Sequence, residues 1–279
     1  MMRQFCVLGE SLPHTVSPTI HQRLFDLSGK KGDYSILELT PEQLLTQADF
    51  LQSFAGYNVT IPHKINIIPF IDNLDDSAKR YGAVNCVHNE NGISTGYNTD
   101  VFGFLRALES GGGKLGGKVL LLGCGGAGRM MAIEAVLAGS DLTIAVRESS
   151  KGKAQKVLED ILLLKPDAKV SIVPINSIEG NFDLLINSTP VGMYPDIDDC
   201  PVSDDIIRNS KCVFDAIYNP TETQLLKKSK SFGGNTINGM AMLVWQAVAA
   251  HEIWDKVSYT TEEINSLITQ MQEYVKRVY

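Results

Sequence analysis

KVLLLGCGGAGRMMAIEAVLAG, residues 118–139, is the stretch whose reading decides the fold. KVLLL is an apolar run of strand length, the six residues Gly123-Cys124-Gly125-Gly126-Ala127-Gly128 carry the spacing GxGxxG, and the letters from Gly128 onward repeat at helical period. Each glycine has a physical task. Gly123 permits the tight turn out of the strand, Gly125 lets backbone amides approach a pyrophosphate, and Gly128 lets the helix lie close on the strand. The start of that helix favours negative charge. A glycine-rich turn that binds nothing would share the spacing, but a strand directly before it and a helix directly after it favour a dinucleotide cofactor, with Gly126 and Ala127 completing the loop.

Toward the C-terminus the text continues as strand (DLTIAV, 141–146), helix (KGKAQKVLEDILLL, 151–164), strand (KVSIV, 169–173), and then the apolar runs DLLINS (183–188) and CVFDAIY (212–218). Continuous rather than alternating apolar runs are the mark of parallel strands covered on both faces, so this half predicts a doubly wound, Rossmann-type sheet. The second strand ends in Ala145-Val146-Arg147-Glu148. An acid at that place accepts a hydrogen bond from a free ribose hydroxyl, whereas an arginine pairs with a 2′-phosphate. Arg147 offers a planar fork for phosphate, and Lys151 and Lys153 add positive charge. NADP is therefore expected over NAD, with Glu148 as the one feature pointing the other way.

Toward the N-terminus the strongest break is GGGKLGG at 111–117, too rich in glycine for a packed element. Before it, short strand-like runs (QFCVL, YSILEL, YNVTI) alternate with helical patterns (SPTIHQRLFDL, PEQLLTQADFLQSF), and NCVHN and ISTGY flank a turn at Asn91-Gly92. That is a second α/β domain. After Gly239 two helical patterns, MAMLVWQAVAAHEIW and TEEINSLITQMQEYVKRVY, have no strand after them and are expected to return to the first domain. The organisation is thus 1–102 with 240–279 as one domain and 103–239 as the nucleotide domain.

Four segments of the first domain are dense in small polar and charged residues: His14–Pro18, Asn58–Lys64, Gly82–Asn85 and Gly96–Asp100. Each follows or ends a strand, and loops at the carboxyl ends of strands in open α/β sheets converge on one crevice. Such a lining suits a polyhydroxylated ligand. Lys64 and Asp100 are the one pair of opposite charges in the set, and an ammonium held by a carboxylate can hand over a proton. Two unrelated surface charges would carry the same letters. His14, His21 and His63 are better read as hydrogen-bonded structural residues than as catalysts.

Composition narrows the classes. A net charge of −7, with no run of basic residues, argues against nucleic acid as a partner. No apolar stretch reaches the roughly 20 residues of a membrane helix, and the N-terminus has no signal-peptide order, so a cytoplasmic protein without a membrane partner is expected. The five cysteines are scattered without a CxxC pair, which predicts reduced thiols, several on core strands, and no metal site.

Taken in order, GESLPHTVSP (9–18), YNVTIPHK (57–64), GAVNCV (82–87), GYNTDVFGF (96–104), LGCGGAG (122–128), INSTPVGM (186–193), DAIYNP (215–220) and NGMAMLVWQA (238–247) resemble the shikimate dehydrogenase family. The resemblance implies NADP-dependent reduction of 3-dehydroshikimate to shikimate, on the route to chorismate and the aromatic amino acids. It puts Lys64 and Asp100 at the catalytic positions and Thr15 and Ser17 on the substrate carboxylate. Thr60, Asn85 and Gln246 then face the substrate hydroxyls, and Tyr218 completes the pocket. The nicotinamide end falls near Thr189 to Met193, Ala216 and Gly239, in a cleft between the domains.

Three positions depart from the family's habit: Thr15 replaces serine, Val146 asparagine and Glu148 threonine. They keep open a quinate/shikimate dehydrogenase that uses NAD. A ligand-binding relative without catalysis would be a different class, against which the retained Lys64 and Asp100 argue. Another two-domain dinucleotide enzyme, such as a folate dehydrogenase, would share the glycine loop but lack the polar set. A small-molecule partner is implied throughout, with a monomer or homodimer as the assembly.

Overall fold

The computed structural model describes residues 2–278, which form two compact units. The first runs through Gly103 and takes up Val244–Thr269; the second comprises Phe104–Leu243 and the residues from Gln270 onward. The unit change at Gly103 lies inside one continuous helix, not at the GGGKLGG run.

The first unit is built in the order β1 (Arg3–Gly9), α1 (Ser17–Ser28), β2 (Gly32–Glu38), α2 (Pro41–Gln47), β3 (Gly56–Val59), α3 (His63–Asn66), β4 (Asn73–Leu74), α4 (Asp76–Tyr81), β5 (Cys86–Glu90), β6 (Ile93–Tyr97) and α5 (Asp100–Ser110), the last passing into the second unit after Gly103. Its sheet has the order β2-β1-β3-β5-β6-β4. β1 pairs in parallel with β2 and β3, while β3–β5 and β5–β6 are antiparallel. The β5–β6 hairpin turns through Asn91 (φ 55) and Gly92 (φ 77), the left-handed pair that a two-residue turn of primed type needs. Leu8, Leu44, Val59, Ile67 and Val87 form the core on one face. Phe5, Phe25, Tyr34 and Trp254 fill the other, where the Trp254 indole N–H donates to Val87 O at 2.9 Å. The helical pattern of 41–54 is interrupted: α2 stops at Gln47 and a 3₁₀ stretch follows over Ala48–Ser53, whose last hydroxyl bonds back to Phe50 O.

The second unit continues with β7 (Lys118–Leu122), α6 (Gly126–Leu137), β8 (Asp141–Val146), α7 (Lys151–Leu164), β9 (Val170–Pro174), β10 (Phe182–Asn187), α8 (Asp204–Arg208), β11 (Ser210–Asp215), α9 (Gln224–Ser231), β12 (Asn235–Asn238), α10 (Gly239–Asp255) and α11 (Thr261–Val278), the last two shared with the first unit. All six strands are parallel, in the order β12-β11-β10-β7-β8-β9, so chain direction along the sheet reverses between β7 and β10. Ligand crevices open at that reversal, beyond the strands' carboxyl ends. The continuous apolar runs are explained by burial: Leu120, Leu122, Leu185 and Val213 pack with Leu225 and Leu226 on one face, while Phe104 meets Phe214 edge-on at 5.1 Å. The GGGKLGG run is a loop into β7. A Cβ on Gly117 (φ +68) would lie 2.3 Å from Asp183 Oδ2, an atom already accepting from Lys118 N–H at 2.9 Å.

Candidate active site

The polar segments of the first unit meet around Asn85. The backbone N–H of this residue donates to Tyr97 O and its carbonyl accepts from Val59 N–H, which pins it between β3 and β6. Its side chain is buried and its orientation is fixed by the donors around it: Oδ1 accepts from the Thr99 backbone N–H (2.5 Å), so Nδ2 must face Thr99 Oγ1 (3.0 Å) and Asp100 Oδ1 (2.8 Å). Asp100 opens α5, where a carboxylate is favoured by the helix dipole. Its second oxygen takes a hydrogen bond from Lys64 Nζ at 2.6 Å. Lys64 sits on the one-turn helix α3, with its carbonyl bound to Val84 N–H at 2.7 Å. The pair is part-buried, with side chains 29% and 18% exposed, so both groups reach a ligand from solvent.

Gln246 of α10 joins the same network through Thr99 Oγ1 at 3.5 Å. Thr60 lies where β3 has just ended, its amide on Leu8 O. Thr15 and Ser17 flank the start of α1, with Ser17 N–H on Thr15 Oγ1 at 3.3 Å. That helix has no acidic residue in its first turn and no side-chain cap among the described residues, which suits an incoming anion. Asn58 and Thr99 lie in the polar segments read from the sequence but had no individual role there, and Tyr34 was missed. The Tyr34 hydroxyl holds Asn58 Oδ1 (2.7 Å), and Asn58 Nδ2 holds Asn85 O (3.2 Å). His63 Nε2 bonds to Leu39 O, and His21 lies stacked on Tyr34 and bonded to His251; both rings are buried away from the pair.

In the second unit a cavity of about 320 Å³ is lined by Gly123, Cys124, Gly125, Arg147, Ser150, Lys153 and the turn from Ser188 to Val191. Gly123 has φ +88, and a Cβ there would meet Thr189 Cγ2 at 2.9 Å. A Cβ on Gly128 would strike Ser188 Oγ at 2.5 Å, whereas Gly125 and Gly126 face open space. α6 begins at Gly126, next to Ala127, without a side-chain cap, leaving backbone amides for a phosphate. The glycine loop and its cavity therefore fit a dinucleotide. Lys153 lines this cavity; Lys151 turns to Glu148 at 3.5 Å and lines a smaller neighbouring hollow that also touches Arg147.

The strand ends beside that cavity align. Asn187 of β10 pairs in register with Leu122 of β7 and with Asp215 of β11, which pairs with Asn238 of β12. Asn187 Oδ1 accepts from Thr189 N–H (3.1 Å) and Thr189 Oγ1 (2.7 Å), shaping the turn that leads to Met193. Gly239 follows Asn238; its N–H donates to Ile217 O, and a Cβ would stand 2.2 Å from Ala216 O, so nothing larger fits. Ala216, Gly239 and Thr189 are thereby gathered around the ends of β10 and β11, while Met193 is 45% exposed and Tyr218 continues the loop from Ile217. Asn187 and Asp215 stand inside the apolar runs DLLINS and CVFDAIY, where no local pattern assigns them a role. All five cysteines are free thiols, and no group of three metal-ligating side chains exists among the described residues.

Comparison with known proteins is consistent across three kinds of match. Residues 7–87 fit the family model described as shikimate dehydrogenase substrate binding domain. A curated shikimate dehydrogenase (NADP(+)) of Methanococcus maripaludis is 41% identical over 255 residues, covering 89% of this chain and 90% of that protein. A crystal structure of a shikimate dehydrogenase in complex with NADP+ superposes with a TM-score of 0.89 at 33% identity, covering 97% of this chain and 96% of that one. The shikimate 5-dehydrogenase of Thermus thermophilus, solved with NADP(H) and shikimate, gives 0.85 at 30% identity over 96% and 99% of the two chains.

Proposed function

This chain belongs to the shikimate dehydrogenase family, and from that premise we propose that Lys64 and Asp100 are the acid–base pair with which it interconverts 3-dehydroshikimate and shikimate, using NADP. The observation that carries the assignment is the 2.6 Å contact between Lys64 Nζ and Asp100 Oδ2, part-exposed and braced by Asn85. In the direction of reduction, Lys64 gives a proton to the oxygen developing at C3. Asp100 keeps the ammonium aimed there, and the bond from Asn85 stops the carboxylate from turning away. The nucleotide, when bound, would supply the hydride in its reduced form, NADPH, and as NADP+ would take it back in the reverse direction.

The first unit is the substrate side. Thr15 and Ser17 hydroxyls, with the open start of α1, hold the substrate carboxylate. Thr60, Asn85 and Gln246 meet the ring hydroxyls, and Tyr218, which is not part of that unit, completes the pocket. The second unit is the cofactor side: Gly123, Gly125, Gly126, Ala127 and Gly128 cradle the pyrophosphate, and Arg147 meets the 2′-phosphate with Lys153 beside it. Thr189, Met193, Ala216 and Gly239 border the nicotinamide. Glu148 is solvent-exposed and lies 3.5 Å from Lys151, whose charge partly offsets its own. The enzyme works in the cytoplasm on small molecules alone, as a monomer or homodimer.

Initial rates on shikimate and quinate, each with NADP+ and NAD+, test the proposal. Shikimate with NADP+ should be the fastest combination. Absence of turnover on shikimate with either nucleotide would overturn it, and a faster rate on quinate with NAD+ would replace it with the broader dehydrogenase.

A further inference from the structure

Asp215 has no part in the chemistry above, yet it is a fully buried carboxylate at the end of β11. Oδ1 accepts from Asn187 Nδ2 (3.0 Å) and Ile217 N–H (3.1 Å), and Oδ2 from the Thr223 hydroxyl (2.6 Å). All three partners are donors. The Asn187 oxygen is committed to Thr189, so its amide shows N–H to Asp215. Ile217 N–H has no other role, and the Thr223 hydroxyl, whose oxygen also accepts from Leu226 N–H, lies 2.6 Å from Oδ2. Two groups that can only donate at Oδ1, with a hydroxyl placed to donate at Oδ2, favour the ionised carboxylate. Among the described residues no lysine, arginine or histidine pairs with it.

A charge without a counter-ion, in low dielectric, acts over a longer range than a paired or solvated one. Beside this one lie Ala216, the next residue, and the Thr189 turn, one side chain away. Both border the nicotinamide in the function proposed above, on which this inference rests. Oxidised nicotinamide carries a positive charge and the reduced ring none. We propose that Asp215 is a buried anion that favours the oxidised nicotinamide over the reduced one, and that it stabilises the positive charge growing on the ring as hydride departs. It acts through space and through the Asn187–Thr189 turn, not by contact with the ring.

Burial pushes the Asp215 carboxyl up to about 6, against the pull of its hydrogen bonds from Thr223, Ile217 and Asn187, so the anion is present above that pH and lost below it. The Cys200 thiol, which feels the Asp215 charge, is itself pushed up by burial and stays neutral across this window.

The test is the dissociation constants of NADP+ and NADPH, measured by nucleotide and protein fluorescence on wild type and Asp215→Asn. Asparagine keeps the shape: its carbonyl can face Asn187 and Ile217 while its amide donates to Thr223. At neutral pH the variant should lose NADP+ affinity by about tenfold, with NADPH affinity changing less than about twofold. The wild-type affinity ratio should also fall as pH drops through about 6. The 2′-phosphate titrates in both nucleotides alike and cancels from the ratio. An unchanged ratio in the variant, or a wild-type ratio flat with pH, overturns the inference, and the wild-type titration decides it even if the variant does not fold. Failure of either nucleotide to bind would instead overturn the cofactor assignment and this inference with it.

Discussion

Asp100 and Asp215 are the same side chain under opposite conditions. Asp100 stands part-exposed with an ammonium 2.6 Å away, while Asp215 is sealed among strand ends with three neutral donors and no cation among the described residues. The first is arranged for traffic: its partner can release a proton and recover it from water. The second is closed to water: above a pH of about 6 its hydrogen bonds hold a charge where solvent cannot screen it. Burial and partners, not residue type, decide whether a carboxylate takes part in chemistry or supplies a field.

The largest effect should come from breaking the exposed pair. Lys64→Ala leaves Asp100 with Asn85 alone, and turnover should fall by about 10²–10⁴, with the KM for shikimate shifting less than about threefold in steady-state assays. Near-normal turnover would remove Lys64 from the chemistry. Asp100→Asn keeps the shape and deletes the charge that aims the ammonium, so turnover should fall by roughly 10², while stability in denaturant changes by less than about 1 kcal/mol because the pair is part-solvated.

The neutral isostere at the buried site should do the reverse. Ionised Asp215 has a folded-state pKa raised to about 6 from its ordinary 3.8, so its protonated form contributes stability that is complete below about 4 and lost as pH rises through 6. Asp215→Asn should therefore be more stable than wild type by about 1–3 kcal/mol at neutral pH, and the gap should close by about pH 4. Equal stability at both ends of that range would show the buried charge to be costless. Thr223→Val should have the smallest effect, a loss of about 1–2 kcal/mol from the missing donor and from the α9 cap it provides, with the Asp215 midpoint moving further up in a pH titration of stability.

What the sequence disclosed follows the same division. The GxGxxG turn was legible because its glycines answer backbone demands that few other residues meet: φ +88 at Gly123 and no room for a Cβ at Gly128. Lys64 and Asp100 stood out as opposite charges among small polar residues. By contrast, Asp215 and Asn187 each stand inside an apolar run, and the bond that joins them crosses 28 residues of sequence through strand register, which no local pattern reports. Short elements such as β12 and α8 carry too few residues for periodicity to show. The unit change after Gly103 falls inside α5, which runs through it without a break in spacing, so helical periodicity by itself does not mark it.

The one-way direction of the hydrogen bonds into Asp215 has a consequence for how such a chain can vary. An aspartate at position 187 would set two carboxyls face to face, and a lone asparagine at 215 would keep the fold while altering the field. A change at one position alone therefore alters the donor count or the charge, and only a change at both could restore one acceptor facing one donor.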